Sequence, residues 1–271
     1  MSDEREYILG TDREEIERLR FQHQAWMQQA YALWELAGFR DGDVVLDLGS
    51  GPGFTSFELA HVVGPAGRVI ARDESARFLA FLRAERDRLG LAQVETSLGR
   101  VEDLELPDAS IDGAYARWLF CWLAEPASVL QRVARALKPG GAVALQEYLD
   151  WAAMKLVPAS AIFDAGIAAC MRSWDEGGGK IDVAELVPAL AEDCGLEVEH
   201  FRPIARIGRV GSLEWRWLGG FFASYLPKLV ERGMLTPREL DAWRDEWSRR
   251  TQDRIGYCVA PIMADLVLRK R

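Results

Sequence analysis

The chain has 271 residues and a mass of 30.4 kDa, enough to bury a sizeable core in one or two domains. Its 33 basic and 42 acidic residues give a net charge of −9 and a pI near 5.1, which argues against a general polyanion binder, because a nucleic-acid backbone needs a basic face. Cys121, Cys170, Cys194 and Cys258 stand far apart, so zinc and redox pairs are unsupported and free thiols in a reducing compartment are expected.

In chain order, Ile16, Leu19, His23, Trp26, Ala30 and Leu33 recur at three- and four-residue steps and predict a helix over 12–37. Thr11 can cap it, with Glu14 completing a capping box, and Gly38 ends it. Asp43 to Leu48 is a short apolar run that predicts a buried strand, followed by a glycine loop and a helix over 53–63. The alternation continues with a strand at 68–71, a helix at 75–89 ended by Gly90, and strands at 93–98 and 111–116. A helix over 127–137 stops at Lys138-Pro139-Gly140-Gly141, and a strand covers 142–148. Such alternation implies a parallel sheet with helices on both faces.

After Trp151 the pattern changes. Helices are predicted at 159–175, 182–194, 213–232 and 237–252, a long strand at 196–207 and a closing strand at 255–268. Ten tryptophans are present, and Trp151, Trp174, Trp215, Trp217, Trp243 and Trp247 all lie beyond residue 150. They fit either an aromatic core or an aromatic-lined pocket roofed by these helices. The acidic N-terminal stretch has no secretory apolar region, and no run approaches the roughly 18 apolar residues of a membrane span. The expectation is a cytoplasmic protein without membrane contact.

The informative segment is Asp47-Leu48-Gly49-Ser50-Gly51-Pro52-Gly53-Phe54, between a strand and a helix. A P-loop needs a Gly-Lys-Ser/Thr ending, which is missing. A dinucleotide fingerprint needs glycine where Phe54 stands. The remaining pattern, DxGxGxG, lets the backbone pass close to a ligand that offers no phosphate there. Asp73, 26 positions after Asp47, can accept two ribose hydroxyls or cap the next helix.

This pattern resembles the class I S-adenosylmethionine-dependent methyltransferases. Further segments fall in the family's order: Gly67 to Ser75 around Asp73, Gly99 to Leu104, Asp108 to Asp112 followed by Ala116-Arg117, and Leu137 to Gly141. Together they span 43–148. Upstream, Tyr7-Ile8-Leu9-Gly10 and Glu17-Arg18-Leu19 followed by Gln22 resemble the cap of a small-molecule subgroup, whose leading helices close over the cofactor. The resemblance implies an α/β, doubly wound, mostly parallel seven-stranded sheet. It implies a helical cap over 1–40 and a methyltransferase domain over 41–271, with helical elaborations at about 155–180 and 212–252. The cofactor would be S-adenosylmethionine, leaving as S-adenosylhomocysteine. The implied cofactor contacts are Tyr7, Arg18, Gln22, Asp47, Gly49, Ser50, Gly51, Asp73, Glu74, Val101, Glu102 and Arg117.

One position departs from the family. Arg100 stands where an acidic residue usually accepts from the adenine amino group, and arginine only donates. Glu102 or Asp103 can substitute, or Arg100 can stack on the ring. Arg117 could steer the cofactor carboxylate or face the acceptor, where Trp118 and Trp122 also fall. If the acceptor must lose a proton, the candidates are Glu147, at the carboxyl end of a strand, and His23 on the cap helix. No metal site is expected. Neither the paired cysteines of arsenic methylation nor an NPPY-like tetrapeptide is present. The expected acceptor is a small, partly apolar or aromatic molecule, and the expected assembly a monomer or homodimer without nucleic acid. A non-catalytic binding protein of the same fold, or a protein or tRNA methyltransferase, remain the alternatives.

Overall fold

The structure is a computed structural model that describes residues 11–253 and 256–271. The first helix, α1 (Arg13–Ala37), is capped by Asp12, whose carboxylate accepts the Glu15 N–H at 2.9 Å. The cap therefore lies one residue past the expected Thr11, and the Glu15 carboxylate bonds Arg18. Gly38 closes the helix, donating to the Trp34 and Glu35 carbonyls.

The sheet is built from β1 (Val44–Leu48), β2 (Arg68–Asp73), β3 (Val94–Leu98), β4 (Ile111–Arg117) and β5 (Leu137–Asp150). Helices α2 (Phe54–Val63), α3 (Ala76–Leu89) and α4 (Pro126–Ala136) connect them. Then come β6 (Lys155–Val157), α5 (Ala161–Glu176), α6 (Val187–Asp193), β7 (Leu196–Ile204), β8 (Ile207–Arg209), α7 (Leu213–Glu231), α8 (Pro237–Asp253), β9 (Tyr257–Val259) and β10 (Ile262–Lys270). The order across the sheet is β3-β2-β1-β4-β5-β10-β7. The pairs from β3 to β5 are parallel, and β10 runs antiparallel to both neighbours. This is a doubly wound, mostly parallel seven-stranded sheet. Both its faces are covered, so the middles of its central strands are continuously buried rather than alternating.

Three expected boundaries are corrected. The helix over 182–194 is a 3-10 turn followed by α6, because Pro188 has no N–H and fits only a first turn. The strand over 196–207 is two strands in different sheets. The closing strand over 255–268 likewise splits, at Pro261, which cannot donate to a ladder. Its first part, β9, forms a small antiparallel sheet with β6 and β8 that the sequence pattern did not indicate.

The sheet divides the core. One side packs Leu33 and Trp34 of α1 with α2, α3 and the adjoining strand residues. The other packs Trp26 of α1 with α4 and the helices after β5. Burying both tryptophans anchors α1 along the sheet; each large aromatic removes roughly 150–250 Å² from water. No helix among the described residues is long and apolar enough to cross a membrane.

Gly113 of β4 is required by this packing, since a Cβ there would lie 2.3 Å from the Phe39 ring. Gly113→Ala should destabilise the fold by about 1–3 kcal/mol, read as a lower urea midpoint with an unchanged denaturant slope.

Candidate active site

In an open α/β sheet, ligands bind outside the carboxyl ends of the strands where the strand order reverses. Here the reversal lies between β1 and β4, and a cavity of about 660 Å³ opens there. The loop from β1 to α2 forms its floor. Gly49, Gly51 and Gly53 have φ of 64°, 54° and 90°, a region costly for other residues. Two of them serve different ends. A Cβ on Gly53 would strike Leu82 of α3 at 2.4 Å, so this glycine serves packing. A Cβ on Gly51 would meet no heavy atom within 4 Å and would project into open space at the cavity wall.

Two carboxylates flank the loop. Asp73 accepts the Gly51 N–H on Oδ2 at 2.7 Å and the Ser75 N–H on Oδ1 at 2.8 Å. The cap of α3 is Ser75, whose Oγ accepts from Phe78 N–H. Asp73 is thus free of the capping role and keeps lone pairs for a ligand. Asp47 is buried beneath the loop and accepts the Ser56 hydroxyl at 2.6 Å. Burial pushes it up to about 7, against the pull of the Ser56 hydrogen bond and the Arg117 charge.

Helix α1 supplies the facing wall with Arg18, Gln22 and His23. Arg18 forks onto Glu15 with two bonds of 2.7 Å and donates to Gln22 Oε1 at 2.9 Å. The Trp217 indole also donates to Gln22 Oε1 at 3.2 Å. His23 Nδ1 lies 3.3 Å from Arg117 Nη2. Burial and the Arg117 charge push His23 down to about 3, so the ring is neutral near pH 7. A guanidinium can only donate, so Nδ1 is the acceptor and Nε2 carries the hydrogen. His23 Nε2, Arg117 Nη1 and Ser50 Oγ are all buried without a partner among the described residues. All three residues line the cavity. Three unsatisfied donors suit a carboxylate, while Asp47 suits a cation.

The other half of the cavity is aromatic. Trp118 follows β4 with φ of 52°, a strained value for a bulky residue. It stacks between Tyr148 and Trp217 at centroid distances of 6.0 and 5.7 Å. Trp122 packs on Trp174 at 4.1 Å, and Trp174 adjoins Phe221. Of the six late tryptophans only Trp174 lines this cavity, and no residue of α8 does. The roof is made by α5 and α7, and most of the late tryptophans are core.

Glu147 is not at the rim. It is completely buried, and its Oε1 accepts the Leu119 and Phe120 N–H groups, both at 2.9 Å. Adjacent strand residues point to opposite faces. Tyr148 lines the cavity and Glu147 lies behind it.

Residues 46–145 match the family model for a methyltransferase domain. This stretch, from β1 into β5, is a methyltransferase domain. An arsenite methyltransferase of Aquipseudomonas alcaligenes is 41% identical over 108 residues, 37% of this chain and 31% of that one. A ubiquinone/menaquinone biosynthesis C-methyltransferase of Hydrogenovibrio crunogenus is 32% identical over 130 residues, 46% of this chain and 49% of that one. A phosphoethanolamine N-methyltransferase of Haemonchus contortus, solved with S-adenosylhomocysteine, shares the fold with a TM-score of 0.58 at 17% identity, over 90% of this chain and 52% of that one. The chain spans about a third to a half of the length of the curated relatives it matches.

S-adenosylmethionine is the cofactor of this methyltransferase domain, and the residues present fit it. The cofactor's amino-acid end carries a cation and a carboxylate, matching Asp47 on one side and the three unsatisfied donors on the other. Gly51 leaves room for it against the backbone. In the adenine loop, Val101 lines the cavity, and Glu102 lines it while paired with Arg100 at 2.6 Å. Arg100 is therefore engaged by the neighbouring acid, and Asp103 is not among the residues that line the cavity. Glu74 sits at the open edge. Tyr7 lies outside the described residues. Ser75, Phe78, Ser173 and Arg232 also line the cavity; only Ser75, in an acidic-residue-to-helix junction, carried a sequence signal.

Two outcomes follow for the methyltransferase domain. Gly51→Val should abolish S-adenosylhomocysteine binding in calorimetry while leaving the circular dichroism spectrum intact, because the added atoms enter the cavity and not the core. A cation beside Asp47 favours its ionised form, so ligand binding releases a proton below the free-site pKa. Affinity should therefore rise by up to about tenfold per pH unit until about 7 and then level off. Asp47→Asn should remove that slope.

Proposed function

We propose that the chain transfers a methyl group from S-adenosylmethionine to a small, partly apolar or aromatic acceptor. The observation that carries this reading is one cavity joining the Gly51 and Asp73 cradle to walls of Trp118, Trp122, Tyr148, Trp174 and Phe221. Bound in the cradle, S-adenosylmethionine supplies an electrophilic methyl on a sulfonium and a neutral thioether leaving group. Departure then needs no acid. The chain's own residues bind and orient. Asp73 would accept the ribose hydroxyls, and His23 Nε2, Arg117 Nη1 and Ser50 would hold the carboxylate. The roof of α5 and α7 excludes water, and alignment within it accounts for most of the rate.

Among the described residues no carboxylate lines the aromatic half. His23 has its lone pair turned to Arg117 and is not a base in this arrangement. The acceptor favoured is therefore one that is already nucleophilic, with a planar face for the aromatic walls. Arsenite is disfavoured. Cys121, Cys170 and Cys258 are buried, and burial pushes every cysteine thiol up, Cys258 to about 11. Buried, neutral thiols do not make an arsenic site. The acidic surface disfavours tRNA, and we retain the cap over 1–40, a cytoplasmic setting and a monomer or homodimer as part of the same reading. The absence of a base facing the aromatic half also favours a second reading, a cofactor-binding protein without transfer.

Calorimetry with S-adenosylhomocysteine, followed by turnover with S-adenosylmethionine and a panel of aromatic amines, aromatic nitrogen heterocycles and ready-ionised phenolates and enolates, tests the proposal. Binding and a methylated small molecule are expected. No binding at millimolar ligand overturns it, binding without turnover supports the second reading, and methylated tRNA replaces the acceptor class.

A further inference from the structure

Glu147 is the one buried acid at the carboxyl end of β5 for which the transfer chemistry has no use. Its surroundings give it another task. The turn from Trp118 to Trp122 forms one wall of the aromatic half, with Trp118, Leu119 and Trp122 lining the cavity. That turn starts in a strained conformation at Trp118. It is bonded to its surroundings at several points, among them the Lys180 N–H on the Cys121 carbonyl and the Trp118 indole on Met263 Sδ, and three further bonds tie it to β5. The Trp118 N–H donates to the Gln146 carbonyl at 3.0 Å, and the Leu119 and Phe120 N–H groups donate to Glu147 Oε1. Two adjacent amides converging on one oxygen make a clamp from β5 onto the turn.

We propose that Glu147 is a positioning residue whose carboxylate fastens the Trp118–Trp122 wall of the acceptor pocket from behind, and that loss of its charge loosens that wall. The proposal rests on reading the aromatic half as the acceptor side. Glu147 Oε2 is buried without a hydrogen-bond partner among the described residues. A proton on the carboxyl would weaken Oε1 as an acceptor, because bonds to a charged group are about twice as strong. Burial pushes Glu147 up to about 7, against the stabilising bonds from Phe120, Leu119 and Cys121. The other ionisable groups that feel it are Cys121 on the turn and Tyr115 on β4, both raised by burial and neutral. On β10 the paired residue is Ala264.

Two effects of pH run in opposite directions. The folded chain holds this proton more tightly than an ordinary carboxyl does, so the Glu147 contribution to global stability falls as pH rises towards about 7. Local opening that lifts the turn while Glu147 stays inside loses only the bonds, which favour the charged form, so the clamp strengthens over the same range. A merely structural carboxyl would move local protection and global stability together.

Amide hydrogen exchange at Leu119 and Phe120 in the full chain, expressed as protection factors well below and well above about 7, separates them. Wild type should gain about tenfold in protection at the higher pH, the difference between neutral and charged acceptors. Glu147→Gln keeps a neutral acceptor and should hold the lower value at both. Protection that does not change with pH in wild type, or that rises equally in the variant, overturns the proposal. The wild-type profile decides alone if the variant fails to fold. Calorimetry with S-adenosylhomocysteine, run alongside, should give the same affinity in both proteins, since Glu147 does not line the cavity. Absence of binding in both would sink the methyl-transfer reading and leave the exchange result to judge the clamp.

Discussion

The constraint on which the rest depends is the reversal of strand order between β1 and β4. The connections leaving these strands run to opposite sides of the sheet, so the ends are left without cover. Every element of the site answers that gap. The glycine loop lines its floor, α1 leans over it from the N-terminal side, and α5 and α7 roof the far half. Asp47 ends up under the loop because β1 ends there, and Arg117 opposite because β4 does.

Charge is arranged around this crevice in a way that a purely structural pocket would not need. A buried carboxylate, a guanidinium and a neutral imidazole sit close together with donors left unsatisfied. Each such donor costs about 1–3 kcal/mol when nothing accepts from it. A fold tolerates that cost at a place where a ligand removes it. The aromatic half is the opposite case: its rings satisfy one another, and its polarity is low.

Much of the sheet and the loop was legible because their signals are local. Asp47 to Phe54 is a backbone requirement written in consecutive residues, and the strand and helix alternation repeats it at longer range. The His23–Arg117 contact was not legible as a pair, since 94 residues separate them and only the path of α1 across the sheet brings them together. Glu147 was misread for a simpler reason. Its position in the chain is right for the rim, but a period of two sends Tyr148 to the cavity and Glu147 behind it. The late tryptophans stayed open between core and pocket, as helical spacing cannot say which of two apolar surroundings a face meets. The small sheet of β6, β8 and β9 has strands of three residues, too short for alternation to register.

The position of β10 has a kinetic consequence. It pairs with β5 on one side and β7 on the other, yet more than a hundred residues separate it from β5 in the chain. The five parallel and edge strands from β3 to β5 can assemble from near neighbours. β7 has no place in the sheet until β10 arrives, because β10 is its sole ladder partner among the described strands. Contacts of such sequence separation form slowly. Helices α5 and α7 lie within the same excursion, so the floor of the crevice takes shape before its roof. Until the last strand docks, the apolar faces of those helices stay open to solvent, and this interval is when the chain is most exposed to aggregation.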